Sequence, residues 1–220
     1  MKAMILAAGR GERLRPLTDI TPKPLIMAGQ KRLIEYHLYH LASAGFRDVV
    51  INVAWLGQQI IDVLGNGEKY HLNIVYSNEG DKALETGGGV YNALPLLGEQ
   101  FLLVNGDVWT DYPFEKLANL KIQDRAHLVL VNNPEHNAGG DFSLAENRLT
   151  DTNTERYTYS GIGVYTGAFF EAEKNGVYPL TPMIRDYIVE NKISGELYQG
   201  RWMDIGTQQR LDELLALNLS

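Results

Sequence analysis

The segment AAGRGERLRPLTDITPKPL, residues 7 to 25, sets Arg10, Arg13 and Arg15 around Gly9 and Gly11 and follows them with Lys23. Glycine lets backbone N–H groups come close to an anion, and guanidinium forks donate to phosphate oxygens in pairs. The combination suits a phosphate-rich ligand. Two common phosphate loops do not fit, because position 14 is Leu where a dinucleotide fingerprint needs its third glycine, and no Gly-Lys pair for a P-loop occurs. What remains is a cradle of loop amides, arginine and lysine of the size of a triphosphate and its departing pyrophosphate. The alternative is a solvated basic turn paired with surface carboxylates. The position of the loop, directly after an apolar strand-like run, favours the phosphate site.

Two aspartates stand in similarly suggestive places. Asp107 closes FLLVNGD and Asp204 lies in RWMDIGT. A pair of carboxylates completed by phosphate oxygens and water makes a Mg²⁺ site; the alternative is that each caps a local turn. There is no cysteine, so any metal is held by oxygen or imidazole, and the five histidines show no metal-type spacing. His136 and Asp141, in HNAGGDF, read as polar loop residues. No Ser/His nucleophile pair stands out.

The formal net charge of −7 argues against nucleic-acid binding, while a small basic pocket can still hold one polyanion. No secretory signal pattern and no apolar run of about 20 residues is present, so no membrane partner is expected and the cytoplasm is the default location.

The elements that must position these groups read as strands alternating with helices. Strands are expected at 2–7, 47–53, 73–77 and 101–107, with helices at 32–45, near 57–64 and from the glycines 87–89 to about Leu97. Such alternation implies a mostly parallel sheet covered on both faces. After Val131 the pattern changes to short strands, DFSLA, YTYSGIGVYT and GELYQG, with a helix at about 182–191 and a last helix capped by Thr207. We read one domain over 1–220, a nucleotide-binding half (1–131) against a sugar-binding half (132–220). The crevice is expected at the carboxyl ends of the strands. Trp55, Trp109 and Trp202 read as packing residues, or as sugar-stacking platforms.

The opening segment is similar to the signature Gly-x-Gly-x-Arg-Leu-x-Pro-Leu-Thr, with a following Pro-Lys-Pro, of the sugar-1-phosphate nucleotidyltransferases, and the resemblance extends over nearly the whole chain. It implies an α/β fold with a Rossmann-like three-layer mostly parallel sheet, the GT-A-like nucleotidyltransferase fold. It implies UTP and a sugar 1-phosphate as substrates, Mg²⁺ held by Asp107 and Asp204, and Arg13, Lys23, Asp107 and Asp204 as the catalytic set. Nucleotide contacts are implied at Gly9, Gly11, Glu12, Arg13, Lys23, Asn78 and Ala83, and sugar contacts at Asn105, Gly140 and Glu155. An Asn amide at 78 suits uracil or thymine and, flipped, cytosine, so uridine is implied by the resemblance alone.

ETGGG at 85–89, the short length and the lack of a C-terminal β-helix or extra dimerisation helices resemble the uridylyltransferase branch of bacterial peptidoglycan recycling. Its acceptor carries an N-acetylmuramyl lactyl carboxylate, for which Gly139, Gly140 and the asparagines of NNPEHNAGGDF would give room and donors. Many relatives have Glu-Lys-Pro where this chain has Glu155-Arg156-Tyr157, so the lysine that grips the sugar phosphate is absent. A monomer or weak oligomer is expected. The competing functions are transfer to another acceptor, such as a hexose 1-phosphate or phosphocholine, and a non-catalytic nucleotide-binding regulator.

Overall fold

The apolar run after Lys2 is buried on both sides, with Ala3, Met4 and Ile5 wholly inaccessible. The run can be sheltered in this way only in the interior of a larger sheet. In the computed structural model, which describes residues 1–80, 82–152 and 155–217, it is strand β1 (Lys2–Leu6). The other strands are β2 (Met27–Ala28), β3 (Lys31–Arg32), β4 (Asp48–Val53), β5 (Asn73–Asn78), β6 (Gln100–Asn105), β7 (Val108–Thr110), β8 (Ala126–Val131), β9 (Phe142–Ala145), β10 (Arg148–Thr150), β11 (Arg156–Thr166), β12 (Ile193–Tyr198) and β13 (Trp202–Asp204). The helices are α1 (Leu33–Ser43), α2 (Gly57–Leu64), α3 (Glu85–Ala93), α4 (Glu115–Ala118), α5 (Leu180–Val189) and α6 (Gln208–Ala216).

One nine-stranded sheet runs β5-β4-β1-β6-β11-β8-β12-β10-β9. From β5 to β6 all neighbours are parallel. β11 then enters antiparallel to both β6 and β8, and only β12 returns parallel to β8. The expected mostly parallel sheet is therefore confined to the first half, and the second half is mixed. The cause lies in the connections. Parallel neighbours need a crossover, usually helical, whereas β9 and β10 are joined by Glu146 and Asn147, both at positive φ, which forces an antiparallel hairpin. β8, apolar except for His127 and with no expectation in the sequence, sits between β11 and β12, so the sheet passes unbroken through both halves of the chain.

Alternate residues of the central strands feed opposite faces. Ile5 and Ile51 pack with Ile34 and Leu38 of α1 and Ile60 of α2. Met4 and Val50 pack with Val90 of α3 and Met183 and Ile184 of α5. A third cluster joins Leu211 and Leu214 of α6 to Leu14, Ile26 and Leu33, which ties the last described helix to the segment after the first strand. Helix α6 starts where expected, with the Thr207 hydroxyl accepting from the Arg210 N–H. No helix among the described residues is long and apolar enough to cross a membrane.

Helix α3 begins two residues before the glycines and shows why they are there. The N–H groups of Gly87 and Gly88 donate to the Tyr178 carbonyl at 3.0 and 3.1 Å. A Cβ on Gly88 would stand 2.1 Å from the Gly176 carbonyl oxygen, so the 176–178 segment lies flat on the helix. Gly88→Ala must push that backbone away. It is expected to lower stability by roughly 1–3 kcal/mol, the usual range for overpacking, as measured by urea denaturation.

Candidate active site

The carboxyl ends of β1, β4 and β6 open onto a cavity of about 370 Å³ walled by Leu6, Asn52 and Asn105 together with the loop from Gly9 to Arg13. This is the crevice position expected for an α/β sheet. The loop is drawn tight by Gly11, at φ 68°, where a Cβ would lie 2.9 Å from Thr18 and 3.2 Å from Lys23. The Thr18 hydroxyl donates to the Gly11 carbonyl at 2.9 Å. Gly9 and Glu12 also line the cavity, and nothing crowds the position of a Cβ on Gly9.

The three arginines separate. Only Arg13 lines the cavity. Arg10 stacks over the Trp55 ring at 4.4 Å, and Arg15 Nε pairs with Asp19 at 2.8 Å. The cationic wall is therefore Arg13 with Lys23, whose side chain is buried and whose Nζ donates to Asp107 Oδ2 at 2.5 Å.

At the far end of the cavity, Asn52 is a buried bridge. Its Oδ1 accepts from the Ala7 N–H and its Nδ2 donates to Glu79 Oε1, both at 2.6 Å. Glu79 also accepts from the Leu84 N–H at 2.7 Å, and burial pushes its carboxyl above the usual range. Ala83 lines the cavity as expected in position, but Asn78 does not. Its Oδ1 accepts from the Gly80 N–H at 2.8 Å, an Asx-turn that holds the side chain at the exposed end of β5, and Glu79 faces the cavity instead.

Asp107 lies in the turn after β6 and not on the strand. Gly106 makes that turn possible: its N–H donates to the Leu6 carbonyl at 2.9 Å, where a Cβ would stand 2.5 Å from the same oxygen. The antiparallel pair β7–β13 then sets Asp204 opposite Val108, and the Ile205 N–H donates to the Asp107 carbonyl at 2.7 Å. Two aspartates distant in sequence are thereby brought side by side.

A second cavity, about 340 Å³, is lined by Asp204, His136, Asn137, Asp141, Tyr159 and Trp202. Asn105 and Asp107 line both cavities, so the two meet there. The second is opened by a bulge in β11, where the register against β8 shifts between Tyr159 and Ile162 and Gly161 takes φ 77°. Trp202 Nε1 donates to the Ser160 carbonyl in this bulge at 2.9 Å.

Two expected sugar contacts lie elsewhere. Gly140, at φ 61°, makes room for the Arg156 backbone, since a Cβ there would be 2.8 Å from Arg156 C. Glu155 is exposed and accepts from the Tyr157 hydroxyl. Neither lines the second cavity. Arg156 pairs with Asp151 at 3.0 Å, donates to the Asp141 carbonyl and does not line the second cavity. Of the loop asparagines, Asn133 is committed to the Ala138 and Arg156 carbonyls, while Asn137 faces the cavity.

Sequence reasoning gave no role to Arg210, and His136 is exposed as expected of a polar loop residue yet still reaches Asp204. Arg210 Nη1 donates to both oxygens of Asp204 at 2.6 and 2.5 Å, and His136 Nε2 lies 3.0 Å from Asp204 Oδ1. The RWMDIGTQQR spacing, with Arg210 six residues after Asp204 across a capped helix start, was the only available signal. Among the described residues no three His, Asp or Glu side chains form a metal cage. The pair Asp107 and Asp204 fits instead a hard cation that takes few protein oxygens and completes its shell from water and phosphate, as Mg²⁺ does.

Residues 2–147 match the family described as Nucleotidyl transferase. The chain belongs to this nucleotidyl transferase family. It is 50% identical to the N-acetylmuramate alpha-1-phosphate uridylyltransferase of Neisseria meningitidis serogroup B, over 99% of this chain and 98% of that protein. It is 30% identical to the protein of the same name from Caulobacter vibrioides, over 94% and 92%. In structure, this nucleotidyl transferase is similar to a Bacillus anthracis protein described as a candidate glucose-1-phosphate thymidylyltransferase, with a TM-score of 0.86 at 22% identity over 99% of this chain and 94% of that one. That likeness establishes the shared α/β fold.

Beneath the site, the fully buried His37 of α1 lies against the Asn105–Val108 turn that carries Asp107, and burial pushes its imidazole down to about 4. The native state holds it neutral, whereas the unfolded chain takes up a proton near pH 6.5. Stability is therefore full above pH 6.5 and falls as pH drops toward 4, by roughly 3 kcal/mol. His37→Leu is expected to flatten this acid loss, checked by urea denaturation at pH 7 and pH 4.5.

Proposed function

We propose that this nucleotidyl transferase moves the uridylyl group of UTP to N-acetylmuramate α-1-phosphate, giving UDP-N-acetylmuramate and pyrophosphate in peptidoglycan recycling. The observation that carries the reaction type is the junction of two cavities at Asn105 and Asp107, with Arg13 and Lys23 on one side and Asp204 at the other. The acceptor and nucleotide are supported by the full-length relatives named above. In this reading the chain is one domain with a three-layer GT-A-like arrangement, working in the cytoplasm where UTP is made. The first cavity takes UTP, with Ala83 and Glu79 at the base end, and the second takes the sugar.

A sugar 1-phosphate loses its second proton at a pKa of about 6, so its oxygen is nucleophilic at neutral pH and no side chain need act as base. That oxygen enters from the second cavity and bonds to the α-phosphorus while the bond to pyrophosphate breaks on the opposite side. Arg13, Lys23 and the loop amides hold the triphosphate and receive the charge that develops on pyrophosphate. Asp107 and Asp204 would hold Mg²⁺, which when bound neutralises phosphate charge. The aspartates and Asn105 keep the two substrates aligned across the junction. Glu79 and Asn52 are fixed to each other and to the Ala7 N–H, which gives the base end a rigid wall.

Asp107→Asn and Asp204→Asn keep side-chain size and remove charge. Each is expected to lower kcat by about 100-fold or more, close to 3 kcal/mol, with circular dichroism unchanged. Pyrophosphate release with UTP and a panel of sugar 1-phosphates tests the acceptor: N-acetylmuramate α-1-phosphate should exceed N-acetylglucosamine 1-phosphate in kcat/KM by about tenfold or more, the effect of one donor to a buried carboxylate. Preference for glucose 1-phosphate would refute the acceptor and leave the transfer reaction standing.

A further inference from the structure

Both carboxylates read as metal ligands are already neutralised by cations of the chain itself, one for one. Lys23 Nζ sits on Asp107 at 2.5 Å, and Arg210 Nη1 on the two oxygens of Asp204 at 2.6 and 2.5 Å. Arg210 is 12% exposed and is fixed on other sides as well, since its Nε donates to Thr207 Oγ1 at 3.3 Å and its Nη1 lies 2.8 Å from His136 Nε2. Its Nη2 stands 2.5 Å from where a Cβ on Gly206 would be, and the Arg13 guanidinium carbon stands 3.2 Å from the same point. Two guanidiniums thus flank Gly206, which lines the nucleotide cavity. Helix α6 does not need an arginine for its own start, because Thr207 already caps it.

A divalent cation that enters alone must displace these paired cations, each of which then needs another anion. A substrate phosphate supplies that anion. We propose that Arg210 is a positioning residue that occupies Asp204 in the ligand-free protein, suppresses binding of free divalent cation, and yields the carboxylate when a phosphate enters. Metal and phosphate binding are thereby coupled through this one side chain, in the range of about 5- to 150-fold usual for linked sites. The inference rests on the reading of Asp107 and Asp204 as metal ligands given above, and extends it to how the site is loaded.

The test uses Mn²⁺ as a paramagnetic probe on the full chain, with bound and free ion resolved by electron paramagnetic resonance and no turnover involved. Without nucleotide, Arg210→Gln is expected to bind Mn²⁺ at least about tenfold more tightly than the unmodified protein. Arg210→Lys, which keeps the charge, should stay near the unmodified value, and Arg210→Gln combined with Asp204→Asn should lose the gain. In the unmodified protein, inorganic phosphate, a weak chelator, should by itself raise Mn²⁺ affinity, a result that requires no variant to fold. Equal Mn²⁺ affinity in Arg210→Gln and the unmodified protein, or no effect of phosphate, overturns the inference. If Asp204→Asn nevertheless abolishes Mn²⁺ binding in the presence of a non-hydrolysable UTP analogue, the metal reading survives that failure. If Asp204→Asn leaves that binding intact, both fall.

Discussion

Asp107 and Asp204, far apart in sequence, must be held side by side, each with its own cation, and the short ladder between β7 and β13 does this with bonds that charge does not disturb. Its register sets Asp204 against Val108, and the Ile205 N–H reaches the Asp107 carbonyl at 2.7 Å. The strut is anchored at its other end too, where the Thr110 hydroxyl donates to the Arg201 carbonyl at 2.8 Å. Trp109, in the middle of β7, is buried in the cluster with Leu211 and Leu214, so α6 presses the ladder onto the loop that holds Leu14. The aspartates, Lys23 and Arg13 all take their positions from this one packing arrangement. A side-chain contact between the aspartates could not do so, because each carboxylate is already taken by a cation of the chain.

The local charges are balanced by pairs and not by excess. In a chain of net charge −7, a loop of free arginines would be expected to seek surface carboxylates, and Arg15 does so with Asp19. Arg10 spends its charge on the Trp55 face, which in turn fixes that ring, whose Nε1 donates to the Thr18 carbonyl at 3.1 Å. Trp55 is therefore a brace for the loop. Lys23 can stay buried because Asp107 faces it, and an ammonium without such a partner would be costly to keep there. The result is a site in which Lys23 and Arg210 each already sit on a carboxylate.

Much of this was legible from residue types and spacing, and the rest failed for identifiable reasons. The parallel strands were readable because each is an apolar run followed by a helix of matching periodicity, as in Lys2–Leu6 and Asp48–Val53. Ala126–Val131 is apolar except for His127 and lacks alternation, so its place between β11 and β12 depends on tertiary pairing that no local pattern carries. Asn78 could not be separated from Glu79 because an Asx-turn is decided by the next two residues' backbone. Arg13 and Lys23 stood out in the sequence because their motif is long, and Asp107 and Asp204 because each closes a strand-like run; Arg210 and His136 did not, because their meaning comes only from the carboxylate they share.

The bulge in β11 has a consequence for how this fold can diversify. At Ser160 and Gly161 the strand departs from its two-residue alternation, so Thr158, Tyr159 and Ser160 all contribute to the wall of the second cavity. An exchange at Tyr159, the half-buried one of the three, alters the shape of that wall, whereas the buried Ser160 hydroxyl holds the flanking ladder by donating to the Val129 carbonyl at 2.7 Å and accepting from the Ile162 N–H at 3.1 Å. Gly161 is different: the Asn105 amide fills the space its missing side chain leaves, with Nδ2 only 2.5 Å from the site of a Cβ. Any larger residue there would displace Asn105, which both cavities share. The wall of the second cavity can therefore be reshaped at Tyr159, while the junction of the two cavities is pinned by a single glycine.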